Sequence, residues 1–348
     1  MFLAWNEMKN NKLRFMLIVG VLTLVSYLVF FLSGLANGLE SLNKEAVLKW
    51  DADGIILTEE SDVNLPQSSL KLDDYDGHGT DEYAVLGQMN AIATSGELKS
   101  NVSIFGIKND EFIMPDVIEG EAFTDTGEVI ADDSLKEEGF EIGDELELSA
   151  TDETLIITGF TEDAKFNAAP VLYGSLETLE QLRMNSTVNG FVIRTDNLDD
   201  VPVSEKLQVI PTQTFIENMP GYSEQSLTLA FMIYFLFIIS AVILAIFLYV
   251  LTIQKISIFG VMKAQGISSG YLAKSVVAQT FLLALAGVII GLALTITTGF
   301  FLPAAVPVAF NALDLFIYGI VLVLVSVLGA LFSVQTIVKI DPLKAIGG

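Results

Sequence analysis

Four stretches of this chain are long, apolar and free of charged residues, and they constrain the fold more than any other feature. A helix needs about 20 residues to cross the hydrocarbon core of a bilayer, and each stretch reaches that length. The first is longer than the apolar core of a typical signal peptide, so we expect it to remain as an anchor. The sequence predicts four transmembrane helices, at 16–35, 227–253, 276–298 and 315–334.

Acidic and basic residues are concentrated in different parts of the chain. Residues 36–226 contain 40 of the 43 acidic residues but only 10 of the 18 basic ones. Flanks rich in Lys and Arg face the cytoplasm, and the other basic residues lie in such flanks: Lys9, Lys12, Arg14, Lys255, Lys263, Lys274, Lys339 and Lys344. We therefore expect a plasma-membrane protein with cytoplasmic segments at 1–15, 254–275 and 335–348. Residues 36–226 and the short loop 299–314 are expected outside the cell.

Composition excludes several kinds of chemistry. The chain has no cysteine and one histidine, His78, in a polar run. The nearest match to a P-loop, "SSGYLAKS", has Ser268 and Ala273 in place of its two glycines, so the chain does not bind ATP through a P-loop of its own. Its acidic runs do not match a calcium-binding loop, and carboxylates this frequent pair by chance. We expect no catalytic residues, no intrinsic cofactor or metal, and no nucleic-acid partner.

The segment between the first two apolar stretches is predicted to be an α+β domain. It alternates short β-rich runs with turn signals, at 52–58, 101–108, 128–135, 144–150, 153–160, 169–175 and 190–195. Residues 175–184 read as a short helix with Ser175 as N-cap, although Thr178 leaves the capping box incomplete. The polar ends at 37–50 and 212–219 look like a helical stalk that continues the membrane helices. The predicted fold is an α-helical membrane protein with four transmembrane helices and an extracellular α+β domain on that stalk.

Several motifs together resemble the permease subunits of MacB/FtsX-like ABC transporters. The segments are "KISIFGVMKAQGISSGYLAKS" between the second and third spans, "EVIADDSLKEEGFEIGDELELS", "ETLIITGFTED" and "APVLYGSLETL" in the large domain, and "KIDPLKAI" at the C-terminus. The N-terminal residues 1–39 are most similar to the haem-exporting permeases of Gram-positive bacteria, the HrtB group. Unlike the MacB proteins, this chain contains no nucleotide-binding domain.

This resemblance implies a separate ABC ATPase, expected in two copies, and a permease homodimer embedded in membrane lipid. A short helix in segment 254–275 would dock on the ATPase through an apolar face flanked by lysines, and its glycines would permit a bend and a terminating turn. These coupling residues are Lys255, Ile256, Ile258, Phe259, Gly260, Met262, Lys263 and Gly266. Two glycine pairs spaced four apart, Gly34 with Gly38 and Gly287 with Gly291, suit the close helix contact that a dimer needs.

For haem as cargo, the resemblance implies entry from the outer leaflet between helices. Aromatic side chains could enclose a porphyrin, and methionine or tyrosine could ligate its iron. The candidates lie near the outer ends of the first two spans: Tyr27, Phe30, Phe31, Glu40, Met219, Tyr222, Phe231, Met232, Tyr234 and Phe235.

Three functions remain open from the sequence. The first is the permease of an ATP-driven exporter, with haem or another hydrophobic toxic compound as cargo. The second is an FtsX-like regulatory permease that transmits ATPase motion to an extracellular partner such as a cell-wall hydrolase. The third is an extracellular enzyme or sensor that uses the membrane as an anchor, for which four spans and a docking segment are excessive.

Overall fold

A computed structural model describes residues 12–149, 151–303 and 306–338. The chain divides into two compact units, one of residues 39–225 and one of the segments before and after it. Lys9, Lys339, Lys344 and the motif "KIDPLKAI" lie outside the described residues, as do residues 1–11 of the N-terminal segment that resembles the HrtB group.

Helix α1, Lys12–Lys49, has 38 residues and belongs to both units. At 1.5 Å per residue it is roughly 57 Å long, well beyond the ~30 Å hydrocarbon core of a bilayer. Its part up to Gly38 lies in the helical unit, and its last turns lie in the α+β unit. There Ala46 and Val47 are fully buried, and Trp50, just past the helix, packs its ring 6.3 Å from that of Phe105.

The α+β unit is built on one mixed sheet. Its strands are β1 Gly54–Thr58, β2 Glu82–Ser95, β3 Leu98–Ile107, β4 Glu119–Gly120, β5 Glu128–Asp132, β6 Glu145–Leu148, β7 Thr154–Thr161, β8 Lys165–Phe166, β9 Ala169–Ser175, β10 Gly190–Arg194 and β11 Leu207–Pro211. The strand order is β11-β1-β10-β2-β3-β9-β5-β7-β4, with β6 beside β2 and β7 and β8 beside β9. The β3–β9 and β5–β7 pairs are parallel and the others antiparallel.

Short helices complete this unit. They are α2 Ser134–Glu138, α3 Leu176–Arg183 and α4 Thr212–Glu217, with 3₁₀ turns at Glu59–Ser61, Leu65–Gln67, Leu72–Asp74 and Leu198–Asp200. Ser175 caps α3 by accepting the Thr178 N–H, as predicted. The predicted helix at 37–50 is present up to Lys49, as the last turns of α1. At 212–219 the stalk prediction is wrong, because α4 ends at Glu217 and a turn follows, with Gly221 at φ +79°.

The helical unit contains the remaining helices. They are α5 Tyr222–Gln254, α6 Ile256–Ala264, α7 Ser269–Phe301 and α8 Ala312–Val338. The first turn of α5 is an exception and belongs to the α+β unit. Within the described residues, four helices (α1, α5, α7 and α8) are long and apolar enough to cross a membrane, and each is longer than the apolar stretch that predicted it. The predicted fold class, four membrane helices with an α+β domain, is confirmed.

Helices α1 and α7 make a close contact through the second glycine pair. A Cβ added to Gly287 would lie 2.5 Å from the Leu22 Cβ, and one added to Gly291 would lie 2.7 Å from the Ser26 Cβ. Residue numbers increase in the same direction along both helices at this contact, so α1 and α7 run parallel. Helix α8 runs antiparallel to α7. Gly319, in the first turns of α8, approaches Val288 of α7, and residues later in α8 lie beside the beginning of α7.

The first glycine pair holds the connection between α7 and α8. A Cβ on Gly34 would lie 2.4 Å from the Phe310 ring, and one on Gly38 would lie 2.3 Å from the Pro307 carbonyl oxygen. The Gly34 carbonyl accepts the Ala309 N–H at 2.9 Å. Both glycine pairs are therefore occupied inside one chain, which corrects the expectation that they serve a contact between two copies. Spacing alone does not reveal which helix uses such a surface.

Adding a methyl group to Gly38 should destabilise the protein. Because the obstructing Pro307 atom belongs to the backbone, Gly38→Ala should cost about 1–3 kcal/mol and lower the unfolding temperature of the detergent-purified chain. Gly20→Ala is the matched control in the same helix, because its Cβ would meet nothing within 4 Å. That variant should be neutral or slightly stabilised, since alanine favours helix over glycine. Equal unfolding temperatures for both variants would contradict the packing described.

Two carboxylates of the α+β unit should give opposite pH trends. Burial raises the pKa of Glu111, although the Val85 N–H donates to its carboxylate at 2.8 Å and Lys108 lies nearby. Hydrogen bonds from the Thr124 and Asp125 N–H groups lower the pKa of Glu128. The stability from Glu111 is thus present at low pH and lost as pH rises through its raised pKa, whereas that from Glu128 is lost as pH falls.

The measurement compares unfolding temperatures of Glu111→Gln and Glu128→Gln with the parent chain at about pH 4 and about pH 7. The Glu111→Gln difference should become more favourable as pH rises, and the Glu128→Gln difference less favourable. Trends of the same sign in both variants would refute the assigned shifts.

Candidate functional site

Helix α6 is a nine-residue helix between α5 and α7. It ends in a Schellman motif, in which Gly266 N–H donates to the Lys263 carbonyl and Ile267 N–H to the Met262 carbonyl, both at 3.0 Å. Gly266 has φ +92°, a conformation that glycine adopts without strain. Gly260 lies within the continuous helix, so the chain does not bend there. The next helix begins at once, capped by Ser268, whose hydroxyl accepts the Tyr271 N–H.

One face of α6 is bound to α7. Phe259 is buried against Leu272, and Ile256 and Met262 are partly buried around them. Phe259 therefore holds α6 against α7 and is not accessible to another protein, whereas Ile256 and Met262 keep part of their surface exposed. Lys255, at the start of the helix, places its ammonium group 5.5 Å from the centre of the Phe15 ring.

The exposed apolar residues of α6 differ from the predicted docking face. Ile258 is 58% exposed and Val261 is 43% exposed. Of the four apolar residues predicted to dock, only Ile258 is strongly exposed, and Val261 was missed. The helical period groups residues on faces but does not reveal which face meets α7.

The aromatic candidates on α1 separate into two environments. Tyr27 and Phe31 stack with ring centroids 5.9 Å apart and an interplanar angle of 18°. The Tyr27 hydroxyl lies 3.3 Å from the Thr298 hydroxyl of α7. Phe30 is fully buried in the helical core, where Val288 and Leu322 belong to the same cluster. Phe30 is thus a packing residue, whereas Tyr27 and Phe31 remain partly accessible.

The candidates on α5 form an exposed row. Phe231, Tyr234 and Phe235 are each 60% exposed and Met232 is 50% exposed. Ile233, between them in sequence, is buried in the helical core instead. The row is therefore accessible to lipid, to cargo or to another copy of the chain.

The remaining candidates, Glu40, Met219 and Tyr222, lie in the α+β unit. Glu40 and Tyr222 are joined by hydrogen bonds that also include Lys44. Lys44 donates to the Tyr222 hydroxyl at 3.1 Å, and that hydroxyl donates to the Glu40 carboxylate at 3.5 Å. The Lys44 ammonium also lies 5.6 Å from the centre of the Tyr222 ring. Met219 is buried in the domain core. Lys44 was not among the predicted residues, although it is one helical turn beyond Glu40 and that spacing indicates a contact between them.

Together, the structure joins Glu40 with Tyr222 and Tyr27 with Phe31, buries Phe30 and Met219, and exposes the α5 row. Among the described residues, three or more Asp, Glu or His side chains do not come together in a group that could hold a metal ion.

Residues 230–342 match the family model described as FtsX-like permease C-terminal. Along its whole length the chain is 25% identical to a "Putative hemin transport system permease protein HrtB" of Staphylococcus haemolyticus, and 26% identical to one of Staphylococcus epidermidis. Each alignment covers 99% of the relative.

A solved structure also matches, that of the periplasmic region of MacB from Actinobacillus actinomycetemcomitans. The match covers 47% of this chain and 90% of that one, at 14% identity and a TM-score of 0.37. The chain is thus similar along its whole length to the HrtB permeases, and its residues 230–342 match the C-terminal part of the FtsX-like permeases.

Proposed function

We propose that this chain is the permease subunit of an ATP-driven exporter that extrudes haem or another hydrophobic toxic compound from the membrane. The observation that carries the proposal is the full-length similarity to permeases named for hemin transport. Permease subunits do not hydrolyse ATP themselves, and the chain lacks a P-loop. ATP hydrolysis is therefore assigned to a separate ABC ATPase, present in two copies beside a permease homodimer.

The orientation follows from charge and from helix direction. Outside residues 36–226 the chain has 3 acidic and 8 basic residues, and positive flanks favour the cytoplasm. The parallel course of α1 and α7 supports an N-terminus on the same side as α6, and antiparallel α8 supports a C-terminus there too. We infer that these segments are cytoplasmic and that the α+β domain is extracellular.

The coupling path begins at α6 and uses contacts within the chain. Docking of the ATPase on Ile258 and Val261 would move α6, which is bound to α7 through Phe259. Helix α7 would move α1 through the glycine contact at Gly287. Because α1 is one continuous helix, its displacement would be transmitted into the α+β domain, whose core contains its last turns. The motion of the ATPase thus reaches the outside without a central channel.

The cargo is proposed to approach the accessible aromatic side chains. Tyr27 and Phe31 offer a stacked pair, and the exposed α5 row adds Met232 and Tyr234 as possible iron ligands. In the α+β unit, Glu40, Tyr222 and Lys44 form a polar group of their own that is a second candidate for cargo contact. Haem is in this proposal a substrate and not a resident cofactor.

Replacing the exposed apolar residues of α6 should release the ATPase. Ile258→Asp and Val261→Asp place a charge in the proposed contact, and loss of a central apolar contact of this kind costs about 2 kcal/mol or more. Affinity for the cognate ATPase, measured by co-purification and titration, should fall about 30-fold. The matched control is Ile258→Leu, which keeps the apolar surface and should bind normally.

Comparison with Phe259→Asp distinguishes a loss of ATPase binding from a loss of folding stability. Because Phe259 is 5% exposed and packs on α7, this variant should lower the unfolding temperature, whereas Ile258→Asp should not. Normal ATPase binding by both Ile258→Asp and Val261→Asp would overturn the assignment of α6.

Haemin titration tests the cargo. The complex of permease and ATPase should shift the Soret band of haemin, and loss of an iron ligand in Met232→Leu or Tyr234→Phe should weaken binding by at least about tenfold. Met219→Leu is the matched control, because that methionine is 3% exposed and lies in the domain core. An unchanged haem spectrum, with ATPase activity indifferent to haemin, would sink the haem proposal and favour the regulatory FtsX-like function.

A further inference from the structure

A groove of about 450 Å³ runs between the first turns of α7 and the later turns of α8. One basic residue lies in its wall, and the rest of the lining is apolar: Ala273, Lys274, Val277, Ala278 and Phe281 of α7 with Val327 and Leu331 of α8. Both helices are candidates for membrane spans, so the groove opens to the hydrocarbon region of a bilayer. Its apolar part therefore suits a hydrocarbon chain.

Lys274 lies at one end of the groove, the end formed by the beginning of α7. It is the sixth residue of that helix and is exposed. The ion pairs found among the described residues do not include Lys274. Three residues earlier, Tyr271 is 54% exposed on the same side of the helix, and Tyr and Lys are typical of the level of lipid headgroups. A lysine there can lay its aliphatic stem along the groove and keep its ammonium group among headgroups.

The lining requires two properties of one ligand. A free phosphate ion would bind the ammonium group but would leave the apolar walls unused. A neutral hydrocarbon would fill the walls but would gain nothing from Lys274. The positive end of the α7 dipole, close to Lys274, favours a negative charge as well. We propose that this groove binds one anionic phospholipid, with an acyl chain against Val277, Ala278 and Phe281 and its phosphate at Lys274.

A second groove provides an internal comparison. It lies between α5 and α8, has the same volume of about 450 Å³, and its lining is entirely apolar: Phe237, Ile238, Ala241, Val242, Ala245, Ile246, Val325, Leu328 and Gly329. Hydrocarbon chains can enter both grooves, but only the α7–α8 groove has a cation in its wall. Selectivity for a headgroup is therefore expected at the α7–α8 groove alone.

The site rests on the proposed orientation, which puts the beginning of α7 at the cytoplasmic leaflet, where anionic lipids are concentrated. It does not depend on haem as cargo. A lipid held there would contact α7 within two turns of Leu272, on which α6 packs. The lipid would thus bind beside the proposed coupling helix.

Native mass spectrometry of the full chain in detergent tests the site, with phosphatidylglycerol and phosphatidylcholine as probes. The parent chain should retain one phosphatidylglycerol in preference to phosphatidylcholine by about fivefold, the effect of one lysine near an anionic headgroup. Lys274→Gln should remove this preference, and Lys274→Arg should keep it. Lys263→Gln, which loses the same charge in the α6 segment outside the groove, should also keep it. Ala278→Phe, which fills the groove, should weaken the retention of phosphatidylglycerol.

Three outcomes would overturn the proposal. One is an undiminished preference in Lys274→Gln, and another is an equal loss in Lys263→Gln, which would indicate general attraction to a basic segment. The third is displacement of the lipid by inorganic phosphate at equal concentration, which would indicate that the apolar walls contribute nothing. Because Lys274→Gln changes an exposed side chain, its result does not depend on a folding defect. Failure here, with ATPase docking and haemin binding intact, would leave the proposed function unaffected.

Discussion

The close packing of α1 against two glycines of α7 is the contact on which the helical unit depends. Two glycines one turn apart, Gly287 and Gly291, let the backbone of α7 approach that of α1. Apolar side chains gain little from association within hydrocarbon, because lipid tails are equally apolar, so close van der Waals contact of this kind must hold the helices together. The same contact fixes the two helices in parallel, and this direction determines which ends of the unit lie together.

The continuity of α1 links this contact to the α+β domain. The helix continues past Gly38 into the α+β unit, where Ala46 and Val47 join the hydrophobic core around Trp50. Lys49 reinforces the junction by donating to the Thr161 hydroxyl at 2.8 Å. The backbone N–H groups of Asn167 and Ala168 donate to carbonyls of the same helix at 3.1 and 3.0 Å. The last turns of α1 are therefore a structural element of the domain itself.

Much of the architecture could be predicted from the sequence because its signals are local. Length and absence of charge identify a membrane helix without knowledge of its neighbours, and the Ser175 cap depends on residues three apart. Strand β2 escaped prediction although it is the longest, with 14 residues. Its sequence carries Gly87, Gln88 and Asn90, which weaken the β pattern. The buried Gln88 amide donates to Asn90 of the same strand at 2.7 Å and to Ser103 of the neighbouring strand at 2.9 Å. The pairing with Ser103 depends on the fold, and a local pattern cannot show it.

The candidate site was less predictable for the same reason. Composition marked segment 254–275 as special, but whether Phe259 or Ile258 faces outward depends on how α6 lies against α7. Aromatic residues near the membrane surface are common, so their identity did not separate the buried Phe30 from the accessible Tyr27. The glycine pairs were recognised as contact surfaces, but the partner of each was decided by the fold.

The length of α1 has a mechanical consequence. The part of α1 up to Gly38 is roughly 40 Å long, and a rod of that length that tilts by about 10° around one end moves its other end by about 7 Å. This part is held at Leu22 by Gly287 and at Gly38 by Pro307, so it cannot tilt without α7 and the α7–α8 connection. Two separate contacts therefore set the course of α1 through the helical unit, and a change in either one would displace it.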